Sequence, residues 1–579
     1  MTYNVLLPLL ASLTCAPSAP GQPTPEDIEG LWLCRIDYVA EPQGTITLSR
    51  ENNGWFVTGP HGDRALAETQ RDGTHIASFG DVGAVRFEPP PDRSHATVFW
   101  IQPPSPMLSQ SYATPVRCPP DADGSWSGVV TTLDDRTDFF CGIDQSSNGA
   151  INFVEHTLNF GRFWNVTGLS PSPDGGLIFE GPEPAVTGKL SADGALVLDS
   201  EQMEPLTFRR LDAEAAVGYV PGSPGTNAVS PRPFGDGWRT ATLSDAGLDS
   251  DTIGALLGTL ADPTRRAHAA TRVHSVQIAR AGSLAVDAYF FGHGPEDTHD
   301  TRSAGKSVAS LLVGAALSPN ATDKLAVALS ESLDRATGAD ASKATLGDLL
   351  AMRTGLWLDD GDPECPAAED RVQESDEQDW YRPALQATRN HPRDTRFAYS
   401  SLSINLAGAV LAENTDRWIP ALLDQQLLQP LDVSACHINL MPSGDAYFGG
   451  GIRLRPRDLL KIGQLVLDGG RWNGRQVVPE SWIDATTTPR SKVRPDFHYA
   501  AGWWCRTYTV EGRRIDTIQA LGNGGQTVVA IPELQLAACF TAGNYGDGRA
   551  ASQITEELIP DFVIRAALRS DRSLGPQAP

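Results

Sequence analysis

Lysine is scarce in this chain of 579 residues, standing at positions 189, 306, 324, 343, 461 and 492, and Lys306 alone has a serine three residues before it. Residues three apart share a helix face, so Ser303-Ala304-Gly305-Lys306 would set an ammonium beside a hydroxyl if the segment is helical. The chemistry on offer is nucleophilic. A serine hydroxyl attacks weakly until a neighbouring base takes its proton, and lysine is such a base only when burial or another cation lowers its pKa. The run that follows, Ser307-Val308-Ala309-Ser310-Leu311-Leu312-Val313-Gly314, is apolar on nearly all sides and predicts a buried helix, which supplies that condition. The pair alone leaves another reading open: an ordinary helix start, with serine as the cap and lysine extended to solvent.

The elements around this pair read as a mixed α+β or α/β region of about 330 residues. A helix is expected near Asp251 to Leu260, then two alternating strands, Val276 to Ala281 and Leu284 to Tyr289, joined at Gly282-Ser283 as a tight hairpin. Thr345-Leu346-Gly347-Asp348 offers an N-cap with an acidic residue three on, and Gly355 is placed to end that helix. Further helix is expected from Leu402 to Leu411, and strand from Thr527 to Ile531.

The first part of the chain has a different texture. From about 26 to 215, short alternating stretches are separated by Gly, Pro, Asn and Asp, the pattern of antiparallel strands in an all-β meander or barrel. Gly30-Leu31-Trp32 leads to Trp55-Phe56-Val57-Thr58-Gly59, and Gly124-Ser125-Trp126 leads to Trp164-Asn165-Val166-Thr167-Gly168, which suggests an internal duplication. Trp32, Trp55, Trp100, Trp126 and Trp164 could line a ligand surface, but aromatic residues in strands are more often core. Pro and Gly punctuate 216 to 238, a linker. The expected organisation is therefore a signal segment at 1–25, an all-β accessory region at 26–215, the linker, and a catalytic unit at 239–570.

Residues 1–25 hold an apolar stretch from Val5 to Leu13 followed by Cys15 and a Pro-rich segment. This resembles an export signal, for a periplasmic or secreted protein, either cleaved or with Cys15 lipidated. No later apolar run approaches the roughly 20 residues of a membrane-spanning helix. A formal net charge of −25 opposes nucleic acid and anionic membranes as partners. Disulfides are conceivable among Cys34, Cys118 and Cys141, with buried thiols the alternative.

The hairpin, then Thr301-Arg302-Ser303-Ala304-Gly305-Lys306-Ser307-Val308, then Leu349-Leu350-Ala351-Met352-Arg353-Thr354-Gly355-Leu356, resembles the serine β-lactamase and penicillin-binding-protein family. Within it the likeness is to class C-like esterases, D-aminopeptidases and 6-aminohexanoate-dimer hydrolases. The resemblance covers roughly residues 240 to 565 and implies an antiparallel sheet flanked by helices. It implies Ser303 as nucleophile, Lys306 as general base, and Tyr399 of Tyr399-Ser400-Ser401 as general acid/base, where the family's motif is Tyr-x-Asn. The third motif, Lys-Thr-Gly or His-x-Gly in relatives, is matched by Asn523-Gly524-Gly525 before Gln526. Ser401, Asn523, Gly524 and Gly525 would then line the substrate, and the backbone N–H groups of Ser303 and Gln526 would form the oxyanion hole. A lone Tyr before a helix, or a glycine-rich turn, has an ordinary structural reading too. Gly449-Gly450-Gly451-Ile452-Arg453-Leu454 and Gly469-Gly470-Arg471-Trp472-Asn473-Gly474 are also similar to parts of these enzymes, without supplying catalytic groups.

The activity implied is hydrolysis of a small-molecule ester or amide without a cofactor. A β-lactamase or D-amino-acid peptidase is the alternative, disfavoured because Asn523 and Ser401 stand where such enzymes anchor substrate. A non-catalytic binding protein on the same fold is a third. Metal catalysis finds no support in the spacing of the eleven histidines, which show no His-Glu-x-x-His and no ligand cluster, and His437 and His498 read as ordinary residues. Trp503-Trp504 could wall an acyl pocket, with only one of the two facing it.

Overall fold

A computed structural model describes residues 28–37, 44–91, 94–105, 108, 110–130, 133, 136–145, 151–157, 168–172, 176–180, 186–200, 203–212, 231–261, 272–291, 293–335 and 340–573. The expected signal segment with Cys15, most of the expected linker, and Trp164 lie outside the described residues.

The second half is organised by a nine-stranded sheet. Across it the order is Arg239–Thr240, Ser283–Tyr289, Val273–Arg280, Leu536–Ala542, Gln526–Ile531, Arg513–Gly522, Trp504–Val510, Phe497–Tyr499 and Ser491–Arg494. The first pair is parallel and the rest antiparallel. The central strands Val273–Arg280, Leu536–Ala542 and Gln526–Ile531 are buried on both sides because both faces are covered. Helices Ser250–Ala261 and Arg565–Ser573 pack on one face over Val276, Ile278, Val286 and Phe540. Helices Gly305–Ala316, Ser401–Thr415 and Pro456–Leu467 contribute to the core on the other.

Local signals in the sequence acted as expected, with small shifts. The hairpin turns at Ala281 and Gly282, both with positive φ (48° and 72°), which a two-residue type I′ turn requires; the bend is one residue earlier than Gly282-Ser283. Thr345 and Asp348 form the reciprocal capping box of Leu346–Leu350. That helix stops at Leu350, before Gly355, whose φ of 73° serves the following loop instead.

In the first part, the chain interleaves what the sequence presents as consecutive units. Gly30–Asp37, carrying Trp32, pairs with Arg136–Gln145 and Met203–Arg210, whereas Trp126–Val129 pairs with Thr45–Glu51. Two apolar cores result, one around Trp32 and Phe208, the other around Trp55, Trp100 and Trp126. These tryptophans are buried core residues, not a ligand platform. Cys118, Cys365, Cys436, Cys505 and Cys539 are buried thiols, so no disulfide runs through Cys118.

The two parts share a sheet. Strand Tyr112–Cys118 pairs with Cys436–Asn439, which pairs with Ile452–Leu454, which pairs with His299–Asp300. One hydrogen-bonded ladder thus runs from the N-terminal strands to three residues before Ser303.

Candidate active site

The chain leaves His299–Asp300 and turns sharply at 301–304. Thr301 donates its N–H and its hydroxyl to the carbonyl of Ile452, at 3.1 and 2.8 Å. Arg302 adopts a left-handed backbone, φ 47°, a conformation costly for a residue with a Cβ and held only when the surroundings impose it. Asp300 imposes part of it, accepting the Arg302 N–H at 2.8 Å and its guanidinium at 3.1 Å. Two glycines press on the same turn. A Cβ at Gly450 would stand 2.7 Å from the Arg302 carbonyl and 3.1 Å from the Ser303 nitrogen, and one at Gly522 would stand 2.4 Å from the Thr301 oxygen.

Helix Gly305–Ala316 follows at once, buried along nearly its whole length. Its first turn brings Lys306 back over Ser303, which itself lies in the short 3-10 turn Arg302–Ala304. Lys306 Nζ is 2.9 Å from Ser303 Oγ and also donates to the Gly449 carbonyl. With 2 % of its surface exposed, Lys306 is not a lysine extended to solvent. The Gly449-Gly450-Gly451 stretch supplies this acceptor.

Lys306 Nζ lies 5.2 Å from the centre of the Tyr399 ring. Tyr399 is placed by helix Ser401–Thr415, whose N-cap Ser400 accepts the Ser403 N–H at 3.1 Å. Its carbonyl accepts the Asp360 N–H at 2.8 Å. Its ring stacks on Trp504 at 6.0 Å and 15°, and Trp504 stacks in turn on Phe497 at 4.9 Å. Trp503 is buried, so of the pair it is Trp504 that joins this aromatic wall.

Ser303, Lys306 and Tyr399 are therefore together, but Ser401 is committed elsewhere. It is fully buried, its hydroxyl donates to Glu369 at 2.8 Å, and its N–H bonds Asp360 at 2.7 Å. Tyr447 also donates to Glu369. Burial and the neighbouring Glu369 push the Asp360 carboxyl above its ordinary pKa, an effect that the charge of Lys306 opposes. Sequence reasoning missed this acidic pair, since Asp360 in a turn and Glu369 at the start of helix Glu369–Gln373 have no motif spacing.

Asn523 is exposed and accepts the Gly524 N–H at 2.8 Å within the turn Asn523–Gly525. Gly524 and Gly525 have φ of 80° and 99°, and a Cβ on Gly524 would strike the Tyr545 ring. The side chain of Gln526 is turned into the sheet, donating to Ala542 O at 2.5 Å and accepting from Ala542 N–H at 3.1 Å. Its backbone stands across from Gly522, the residue abutting the turn that carries Ser303.

His437 is buried against Thr114, Nδ1 to Oγ1 2.7 Å, and burial lowers its pKa to about 3. His498 is half-buried. The expectation of no histidine cluster needs correction: ring nitrogens of His274, His293 and His299 lie within 4.8 Å of one another.

Residues 264–557, just over half of the chain, match the family described as Beta-lactamase. A 6-aminohexanoate-dimer hydrolase of Paenarthrobacter ureafaciens is 24% identical over 273 residues, which span 43% of this chain and 67% of the relative. A solved family VIII carboxylesterase is 14% identical, over 56% of this chain and 98% of its own, with a TM-score of 0.42. A penicillin-binding protein homologue from Caulobacter crescentus is 17% identical, again over 56% and 98%, with a TM-score of 0.41.

Proposed function

Because the chain belongs to the beta-lactamase family, we propose that it is a serine hydrolase that cleaves a small ester or amide through an acyl-enzyme on Ser303. The observation that carries this reading is the 2.9 Å contact between a buried lysine and the Ser303 hydroxyl, with the Tyr399 ring alongside. Ser303 Oγ attacks the substrate carbonyl, and its proton passes to the Lys306 and Tyr399 pair. The backbone N–H groups of Ser303 and Gln526 receive the oxyanion. The leaving group takes the proton and departs. Water, deprotonated by the same pair, then attacks the acyl-serine and releases the acid.

The acidic pair Asp360 and Glu369 beside Ser401, with Asn523 where relatives carry a cation or imidazole, favours a substrate that does not need its carboxylate gripped there. This places ester or amide hydrolysis ahead of β-lactam hydrolysis or D-amino-acid peptide cleavage. The 6-aminohexanoate dimer, named for one relative, is an amide to try first among amides.

The test is intact-protein mass spectrometry after a fluorophosphonate probe, on the wild type and Ser303→Ala, with p-nitrophenyl butyrate turnover in parallel. One adduct and turnover, both lost in the variant, are expected. An unmodified, inactive wild type that also ignores penicillin-type probes would overturn the reading in favour of a binding protein.

A further inference from the structure

Three imidazoles converge just before the nucleophile turn. His274 lies on the strand Val273–Arg280, His299 on the short strand His299–Asp300, and His293 on the loop after Ser283–Tyr289. Their strands belong to two different sheets, so the cluster joins the hairpin of the nine-stranded sheet to the segment that feeds Ser303. We propose that His274, His293 and His299 bind a divalent transition-metal ion of the imidazole-preferring kind, such as zinc, nickel or copper.

The geometry of the ring nitrogens supports this. His299 Nδ1 is 3.1 Å from the carbonyl oxygen of Asp300. A proton on Nδ1 satisfies that contact and leaves Nε2 as a lone pair, the arrangement in which a backbone carbonyl orients a metal-binding histidine. That lone pair meets His274 Nδ1 at 2.8 Å. Zinc to imidazole distances are about 2.0–2.1 Å and zinc sites are tetrahedral, so two ligands of one ion stand about 3.3–3.4 Å apart. The two nitrogens are therefore about 0.5 Å closer than two zinc ligands, and a small outward shift of one ring takes them from a hydrogen bond to binding geometry.

His274 and His299 are buried on strands and are preorganised. His293 is half-buried on the loop, with its ring stacked on His274 at 4.4 Å, and it would rotate onto the ion to complete the set. The donor set is three nitrogens. Three neutral imidazole donors suit a borderline ion and disfavour magnesium or calcium, which require oxygen ligands. Arg302 and Arg453 bear on His299 as positive charges, which opposes any cation there and limits the affinity. A bound ion would clamp the open end of the hairpin to the strand leading into the nucleophile turn.

The test uses the tag-free full chain, stripped with a chelator and desalted, then titrated with zinc by calorimetry and with cobalt(II) by visible absorption. One ion per chain is expected, with a rise in Tm on zinc addition. His299→Ala and His293→Ala should each weaken binding by more than the roughly 10–100-fold that losing an outer partner of a metal ligand costs. His498→Ala should bind as the wild type does. Absence of binding to the wild type, or binding that His293→Ala leaves unchanged, would overturn the proposal. His293 is on a loop, so that variant decides the matter even if His299→Ala fails to fold.

Discussion

Lys306 Nζ donates to the backbone carbonyl of Gly449, a residue 143 positions further along the chain. The contact fixes the lysine head group over Ser303 and needs no side chain from its partner, so only the fold reveals it. On the proposed mechanism Lys306→Ala should lower kcat for p-nitrophenyl butyrate by roughly 10²–10⁴-fold, with a smaller change in KM. Lys306→Arg should not restore turnover, because a guanidinium keeps its proton. Recovery by arginine would show that positive charge, and not proton transfer, is what the site needs.

Gly522 and Gly450 are expected to be intolerant of alanine. The added methyl of Gly522→Ala must displace the Thr301 carbonyl, and that of Gly450→Ala the Arg302 carbonyl. Each should cost roughly 1–3 kcal/mol in stability and a larger share of activity. Gly254→Ala, in helix Ser250–Ala261 with open space around it, should instead stabilise by about 0.5–1 kcal/mol. Thermal melts and initial rates on the three variants make the comparison.

Arg117 of the N-terminal strands grips the buried Asp424, with its two contacts at 2.6 Å or less. Arg117→Ala should destabilise the whole chain by on the order of 2–3 kcal/mol, less than the roughly 3–5 of a fully buried pair. The reduction has two sources: Arg117 is 37 % exposed, and Gln429 still donates to Asp424. A urea midpoint unchanged by Arg117→Ala would mean that the N-terminal part adds nothing through this pair.

His437 predicts an acid-side loss of stability. Its imidazole is held neutral down to about 3, against 6.5 when unfolded, so its contribution is complete above 6.5 and is lost as pH falls through that window. The slope is roughly 1.4 kcal/mol per pH unit. Denaturant midpoints at about pH 7.5 and about pH 4.5 should fall less in His437→Gln than in the wild type.

Much of the candidate site was legible because its signals are local. The apolar run after Lys306 marks a buried helix, and a spacing of three on such a helix brings Lys306 onto Ser303 wherever the helix docks. The type I′ hairpin and the Thr345 and Asp348 capping box are likewise properties of a few adjacent residues. Trp32, Trp55, Trp100 and Trp126 were recognisable as core because bulky rings in alternating strands have one apolar side to fill.

Other features depend on segments that meet only in three dimensions. Ser401 stands two residues from Tyr399 in any reading, yet Asp360 and Glu369, some 41 and 32 positions earlier, capture its N–H and hydroxyl. His274, His293 and His299 have no ligand-type spacing, and two sheets bring them together.

The sequence by itself determined the helix that pairs Ser303 with Lys306, the turn chemistry and the apolar faces, because backbone geometry and side-chain periodicity act over a few residues. Only the tertiary structure decided what surrounds that pair: the carbonyl of Gly449, the aromatic wall of Tyr399 and Trp504, the acidic pair, and the strand ladder from Tyr112 to His299. Those depend on which surfaces pack together once apolar faces are buried, and many sequences of contacts are compatible with the same local pattern until the whole core forms.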